Sequence, residues 1–406
     1  MTAGLRSTAQ PGKRYFLGFI LPVGAILLLI AFLNTWVNPL WVATTPWSSH
    51  SFDEYKPLHK ALRTGKAGLA RSFEWDGVML GSSRVDIGFD PTLPEWSGRR
   101  VANLALRGGT LCEHEAMLRF AAERNRLEFA VLGVDLADLT SPNNITPGTG
   151  FEESPLATSG DRLEREIRYI SGVSTFVDTV KCLNYFREKR PGAYTPQGQW
   201  VRLLDKRPMR KVLQFESFKW ADHFAAQRRK SIEVNPKKIE ALRGILRLCR
   251  EKNIHLYLCI PPNHAAYLSA MRLNGDPDPA FRVDRSHILA VLAEEQAAHP
   301  GTQVDLWDFN DFHPLNCEPL PAPTEQHTYF WADGTHALPP LGHIMLARML
   351  GWPVPDARGA DYGVKLTPGD LEARLRQIDG GYPRYQAEHA DDFGWVREHL
   401  RDFEKR

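Results

Sequence analysis

The chain has little cysteine and no cysteine pattern. Its 406 residues hold five (Cys112, Cys182, Cys249, Cys259 and Cys317), widely spaced and without a C-x-x-C. That excludes a zinc ribbon and a dense disulfide scaffold, allows one or two bridges, and leaves at least one thiol unpaired within a monomer. No H-x-H, no H-E-x-x-H and no carboxylate cluster suggests a metal, and no G-x-G-x-x-G or Walker A sequence suggests a nucleotide. No cofactor is therefore expected. Charge of one sign is lacking too. Fifty Lys and Arg stand against 48 Asp and Glu, a net +2, so the chain is no polycation and nucleic acid is not an expected partner. There are no repeats and no low-complexity tract. With 43% hydrophobic and 24% charged residues, a large core is available and global disorder is excluded.

Long apolar runs are absent with one exception. Phe16 to Val37 (FLGFILPVGAILLLIAFLNTWV) carries no charge over 22 residues, and at ~1.5 Å per residue it covers a hydrocarbon core ~30 Å thick. Trp36 and Trp41 suit an interfacial belt. Arg6, Lys13 and Arg14 precede the run, and Lys56 is the first basic residue after it. The positive-inside rule then leaves the N-terminus in the cytoplasm and the remainder outside. A cleaved signal peptide would have a shorter apolar region, ~7–15 residues, and a small-x-small site, which Asn34-Thr-Trp-Val lacks. The expectation is a signal anchor: 1–15 cytoplasmic, 16–37 transmembrane, 38–75 a juxtamembrane connector with one amphipathic helix, and an exported body on a single-pass protein.

In the body, apolar runs alternate with helical patterns. Gly77–Gly81, Arg100–Leu106, Phe129–Leu136, His255–Ile260 and Gln303–Trp307 read as strands. Leu111–Arg126, Pro236–Lys252, Phe281–His299 and Pro339–Leu350 read as helices. Strands separated by helices predict an α/β domain over 76–351 with a doubly wound parallel five-stranded sheet. Ligands of such sheets lie beyond the carboxyl ends of the strands. Residues 140–235 are too long for a simple crossover and read as an inserted helical cap, opening on the turn-rich SPNNITPGTG. Within it, 187–230 carries twelve Lys and Arg against four Asp and Glu: a solvated face, or a patch for an anionic polymer or lipid head groups. The segment 352–406 reads as a polar tail with one helix capped at Thr367-Pro368-Gly369-Asp370.

Two short segments fall where chemistry would sit. Gly81-Ser82-Ser83-Arg84 follows the first strand. It supplies a hydroxyl at the ligand edge whose backbone N–H can serve an oxyanion, or simply a turn and N-cap. It is not a G-x-S-x-G elbow, because position 85 is Val. Asp333-Gly-Thr-His336 precedes the last helix; it offers a base and its orienting carboxylate, or an Asp-Gly turn with an incidental His.

Ser after the first strand and D-x-x-H before the last helix is the arrangement of the SGNH/GDSL hydrolases. The chain resembles that superfamily over roughly 76–136 and 253–351, most of all its membrane-anchored, exported branch, which includes alginate O-acetylation and teichoic-acid D-alanylation proteins. The resemblance implies Ser83 as nucleophile, His336 as general base and Asp333 as its orienter. It implies an oxyanion hole from the N–H of Ser83 with that of Gly108 or Gly109, in the block Asn103-Leu-Ala-Leu-Arg-Gly108-Gly109. The family's third block falls on Gly133-Val134-Asp135, with Asp135 where an oxyanion-binding Asn is expected. An ionised carboxylate only accepts hydrogen bonds and would repel the developing charge, so Asp135 is expected to pair with Arg84. Asn263 and His264, after the fourth strand, are candidates for substrate contact or for capping the next helix. The implied activity is a serine acyltransferase or esterase acting on O-acyl groups, O-acetyl first, of a cell-envelope or extracellular polysaccharide at a bacterial inner membrane. Its acyl donor would come through a membrane-bound partner. The alternative is an inactive scaffold, or a polysaccharide-binding protein of envelope assembly.

Overall fold

The computed structural model describes residues 11–140, 148, 150–201 and 206–405. Arg6 and most of the turn-rich opening of the insertion, 141–147, lie outside the described residues, as do Arg202 and Asp205 of the basic run.

One mixed sheet organises the body. Its strands are β1 (Gly77–Leu80), β2 (Val101–Asn103), β3 (Phe129–Gly133), β4 (His255–Ile260), β5 (Val304–Asp308) and β6 (Val364–Leu366). Their order is β2-β1-β3-β4-β5-β6. The first five are parallel, and β6 runs antiparallel to β5. Every residue of β1, β2 and β3 is buried, which is why these strands read as continuous apolar runs rather than alternating ones. The order reverses beside β1: the chain goes outward to β2, then returns to the other side with β3. Such a switch point opens a crevice at the carboxyl ends of β1 and β3.

The sheet has six strands, not five, and the sixth comes from the segment expected to be a loose polar tail. Besides β6, that segment forms helices Leu371–Glu388 and Ala390–His399, which bury Leu375, Ile378, Tyr385 and Val396. Its polarity is partly interior. Arg374 is buried with its Nε 2.9 Å from Asp308 Oδ2 and its Nη1 2.7 Å from Asp311 Oδ2. Arg285 reaches the same Asp308 at 2.9 Å. Burial alone would raise the Asp308 pKa, but the two guanidiniums outweigh it and hold the carboxyl below its usual range.

The connector 38–75 is also more than a tether. Its helix Leu62–Ser72 is buried from Leu62 to Ala70. Lys66 reaches inward to Asp86 Oδ1 (2.7 Å) and to the carbonyls of Asn103 (2.7 Å) and Gly198 (2.6 Å). A lysine buried this deeply persists because all three ammonium donors are satisfied. All five cysteines are free thiols.

At the N-terminus, helix Pro11–Val37 contains Gly18–Val37, the one stretch among the described residues long and apolar enough to cross a membrane. The insertion divides its helices. Arg162–Ser171 and Val173–Arg187 pack on the end of that apolar helix, whereas Met209–Lys230, with a π-helical turn at Leu213–Ser217, lies over the loop carrying Asp333 and His336.

Candidate functional site

Gly81 makes the turn out of β1. Its φ of +144° favours glycine, and a Cβ there would stand 2.6 Å from Val85 Cγ2. Ser82 then caps the short helix Ser83–Gly88, accepting a hydrogen bond from the Arg84 N–H. Ser83 is the first residue of that helix, so its N–H has no helical carbonyl to donate to. Its hydroxyl is half-buried at the rim.

The loop after β5 brings its partner. An antiparallel bridge between Trp331 and Ala337 closes a tight turn, with the Ala332 N–H donating to the His336 carbonyl at 2.9 Å. Trp331 is buried and donates from Nε1 to the Leu315 carbonyl. Inside the turn, Asp333 Oδ1 accepts the N–H groups of Thr335 (2.7 Å) and His336 (3.0 Å) and the Thr335 hydroxyl (3.2 Å). Asp333 Oδ2 lies 2.7 Å from His336 Nδ1, and His336 Nε2 lies 2.8 Å from Ser83 Oγ. With Asp333 ionised, Nδ1 carries the proton and Nε2 is free to accept from the serine. Burial opposes ionisation of Asp333, but His336 and the two N–H donors outweigh it and hold the carboxyl at about 2. Burial likewise opposes protonation of His336, and the Asp333 charge outweighs it and raises the imidazole above its ordinary value.

Serine and histidine meet because two helices do. Pro339–Leu350, which follows His336, packs on Ser83–Gly88 with no side chains between them. A Cβ on Gly342 would stand 1.8 Å from the Gly88 carbonyl oxygen.

Two cavities lie near the site, one beside Arg84 and one beside His336. One, of about 190 Å³, is bordered by Arg84, Gly108, Asp135, Asn263 and Tyr267. The other, of about 660 Å³, is bordered by His336 and Asp333 together with Trp200, Lys206, Arg207 and His327. Arg84 Nε stands 3.4 Å from Asp135 Oδ1, within ion-pair range, although that oxygen accepts no hydrogen bond.

The remaining candidates separate by side-chain direction. Gly109 donates its N–H to the Leu106 carbonyl at 2.7 Å, so it is not available to an oxyanion. Gly108, at φ +62°, has no such bond and borders the smaller cavity. Asn103 is buried away from both cavities. Its Nδ2 donates to the carbonyls of Val85 (2.9 Å) and Phe89 (3.0 Å), holding the Ser83 helix to β2, so it touches no substrate. His264 is buried and caps the next helix: Nδ1 accepts from the Ala266 N–H, Nε2 donates to the Glu318 carbonyl, and its ring meets Trp331 edge-on. Burial lowers its pKa to about 4, so it stays neutral and supports the loop rather than moving protons. Asn263 does face the cavity. It donates from N and Nδ2 to Asn310 Oδ1, and its own Oδ1 is buried without a partner.

Much of the basic run is occupied within the body. Arg228 is buried among Asp276, Asp278 and Asp284, Arg210 holds the carbonyls of Leu320 and Pro321, and Arg229 that of Asn274. Lys206 and Arg207 border the larger cavity, Arg207 with its Nη1 3.2 Å from Glu216 Oε1. Trp200, Tyr267 and Thr335 border or brace the site with no sequence signal, since a lone aromatic or hydroxyl outside a motif carries none. No group of His, Cys, Asp and Glu among the described residues could hold a metal ion. No protein-family model matches the chain, and no curated protein or solved structure does.

Proposed function

We propose that this chain is a membrane-anchored serine acyltransferase or esterase of SGNH-like type. Its body lies outside the cytoplasm and handles O-acyl groups, O-acetyl first, of a cell-envelope polysaccharide. The observation that carries this reading is the unbroken relay Ser83 Oγ–His336 Nε2–Nδ1–Asp333 Oδ2, at 2.8 and 2.7 Å. Its place at the carboxyl end of β1, beside the switch point, supports it.

His336 Nε2 takes the Ser83 proton as Oγ attacks the acyl carbonyl. The tetrahedral oxyanion accepts from the N–H groups of Ser83 and Gly108. When it collapses, the donor's alkoxide leaves with the proton held on His336, and the acyl group stays on Ser83. A sugar hydroxyl or water then gives its proton to His336 Nε2 as it attacks the acyl-serine carbonyl. The second tetrahedral adduct breaks its bond to Ser83 Oγ, which takes the proton back from His336, and the new ester or acid departs. Proton transfer by a placed base contributes ~10²–10⁴-fold and each oxyanion donor ~10²–10³-fold. The smaller cavity lies on the Arg84–Gly108 side, where the acyl substituent would point. The larger one, with Trp200, Lys206 and Arg207, lies beside His336, where an acceptor sugar would enter. Asp333 and His336 need no metal or cofactor to do this.

A second reading rests on Asp135. A carboxylate in place of an oxyanion-binding amide fits a protein that keeps the scaffold and binds polysaccharide without turning over esters. One experiment separates the two: treat the full chain in detergent with a fluorophosphonate and, separately, a chromogenic acetyl ester. Labelling and turnover that vanish in Ser83→Ala support the enzyme. A folded wild-type chain that neither labels nor turns over between pH 6 and 9 supports the scaffold.

A further inference from the structure

The two insertion helices beside the N-terminal helix expose a row of apolar side chains. On Arg162–Ser171, Glu166 and Arg165 turn to the body, Glu166 holding Arg71 at 2.7 Å and Arg165 the Ala157 carbonyl at 2.9 Å, while Arg162, Glu164 and Arg168 are exposed. On Val173–Arg187, Thr175 and Thr179 are buried, and the Thr179 hydroxyl donates to Asn34 Oδ1 at 2.8 Å. The outward faces nevertheless carry apolar side chains, beside the charges of Arg162, Glu164 and Arg168 on the first helix. Leu163 and Ile167, one turn apart, are 67% and 54% exposed; Val173 and Val177, also one turn apart, are 71% and 52% exposed, and Val180 continues their face. Apolar side chains exposed in such a row mark a contact surface.

Their position says what covers them. Asn34, in the last turn of the apolar helix, donates from Nδ2 to the Ile170 carbonyl at 3.0 Å, where the two insertion helices meet. The 27 residues of Pro11–Val37 measure ~40 Å at ~1.5 Å per residue, longer than a ~30 Å hydrocarbon core. The last turn, where the span Gly18–Val37 ends, is the one the insertion grips. Trp36 and Trp47 are exposed there as well, Trp47 tied by its Nε1 to Thr35 Oγ1 at 2.9 Å, and indoles belong at the level of lipid head groups.

We infer that Arg162–Ser171 and Val173–Arg187 form a seat in the interfacial layer of the bilayer, with Leu163, Ile167, Val173 and Val177 buried among the lipids beside the membrane-spanning helix. The occupant of this face is lipid. Mixed charges flank it (Arg162, Arg168, Glu164, Asp178), so apolar burial rather than attraction to anionic head groups holds it down. The seat fixes the heading of the body, and with it of Ser83, relative to the membrane plane. It rests on the reading of Gly18–Val37 as a span.

The test uses the full chain in a Cys112→Ser background, reconstituted in phosphatidylcholine vesicles with and without phosphatidylglycerol. Spin labels are placed at Leu163→Cys and Val177→Cys, at Leu28→Cys in the span, and at the exposed turn Gly301→Cys. Val173→Cys replaces either seat site if that variant fails to fold. The expected result is more collision with oxygen than with a water-soluble nickel chelate at Leu163, Val177 and Leu28, in both lipid mixtures, and the reverse at Gly301. Aqueous seat labels with a lipid-exposed Leu28 overturn the seat and leave the span standing. Aqueous labels at all sites overturn both. Seat labels shielded from both reagents mean that a second copy of the chain covers the face, and overturn the lipid assignment.

Discussion

Gly342 lies against the carbonyl of Gly88 so closely that not even a methyl group fits between them. Two helices far apart in sequence touch backbone to backbone there; one begins with Ser83, and the other follows the loop that carries His336. Replacing Gly342 by Ala is expected to force the helices apart, at a cost of ~1–3 kcal/mol for overpacking, and to lengthen the 2.8 Å contact. The prediction is a lowered thermal midpoint together with a loss of Ser83 labelling larger than the loss of folded protein. Equal losses would mean that the contact serves stability alone.

Asp333→Asn removes the charge that favours imidazolium and the acceptor that selects the Nδ1–H tautomer. A fall in kcat of ~10⁴ is expected by analogy with other serine–histidine–aspartate sites. The pH profile carries independent information. His336 must be neutral to act as base, and Asp333 raises its pKa. The acid limb of wild-type kcat/KM is therefore expected above the ordinary imidazole value of ~6.5, with activity lost as pH falls through it. In Asp333→Asn burial and Arg84 are opposed only by Asp135, a smaller influence than the lost Asp333 charge, so the limb moves to lower pH. An unmoved limb would assign it to a group other than His336.

Arg84 and Asp135 are expected to behave as a pair. Arg84→Met frees a carboxylate beside the position where the oxyanion forms, and a loss of ~10–100-fold in kcat/KM is predicted, within the range of one oxyanion donor. Adding Asp135→Asn removes the repulsive charge and restores part of the activity. A double-mutant cycle measures this coupling; strictly additive effects would disprove it.

Arg374 is predicted to matter as much as a core residue although it sits in the polar C-terminal segment. Arg374→Met leaves Asp308 with Arg285 alone and Asp311 without its guanidinium partner. A destabilisation of ~3–5 kcal/mol is expected from breaking a buried ion network on one side, read from urea or thermal unfolding. A variant within about 0.5 kcal/mol of wild type would show that the network contributes nothing net.

How much of this was legible in the chain follows from what each feature depends on. Helix Pro236–Lys252, strand His255–Ile260 and helix Pro339–Leu350 are readable to the residue, because strong periodicity coincides with Pro and a left-handed Asn253 or Gly351 at the ends. β6 is not readable: three residues, Val-Lys-Leu, in a polar stretch carry no periodic signal, and the arginine that anchors their surroundings looks like a surface residue until Asp308 is seen beneath it. The nearness of Ser83 to His336 is readable from the strand-end rule and two short motifs, because both properties are local. Which of Gly108 and Gly109 keeps a free N–H is not, since it depends on one turn hydrogen bond. Nor are the duties of Asn103 and His264, which turn on where a side chain points. Nor is the surrounding of helix Arg162–Ser171 readable: its pattern is strongly amphipathic, but a pattern does not say what each side meets.

The antiparallel strand at the sheet's margin has a consequence for how the molecule is made. β5 acquires its outer neighbour from residues 364–366, and Asp308 its second guanidinium from residue 374, more than fifty positions downstream. A nascent polypeptide halted between the two would present an open, hydrogen-bond-hungry border and an incompletely compensated interior anion. Completion of the body thus waits on delivery of its closing segment, and chains released before it are expected to be prone to edge-to-edge aggregation.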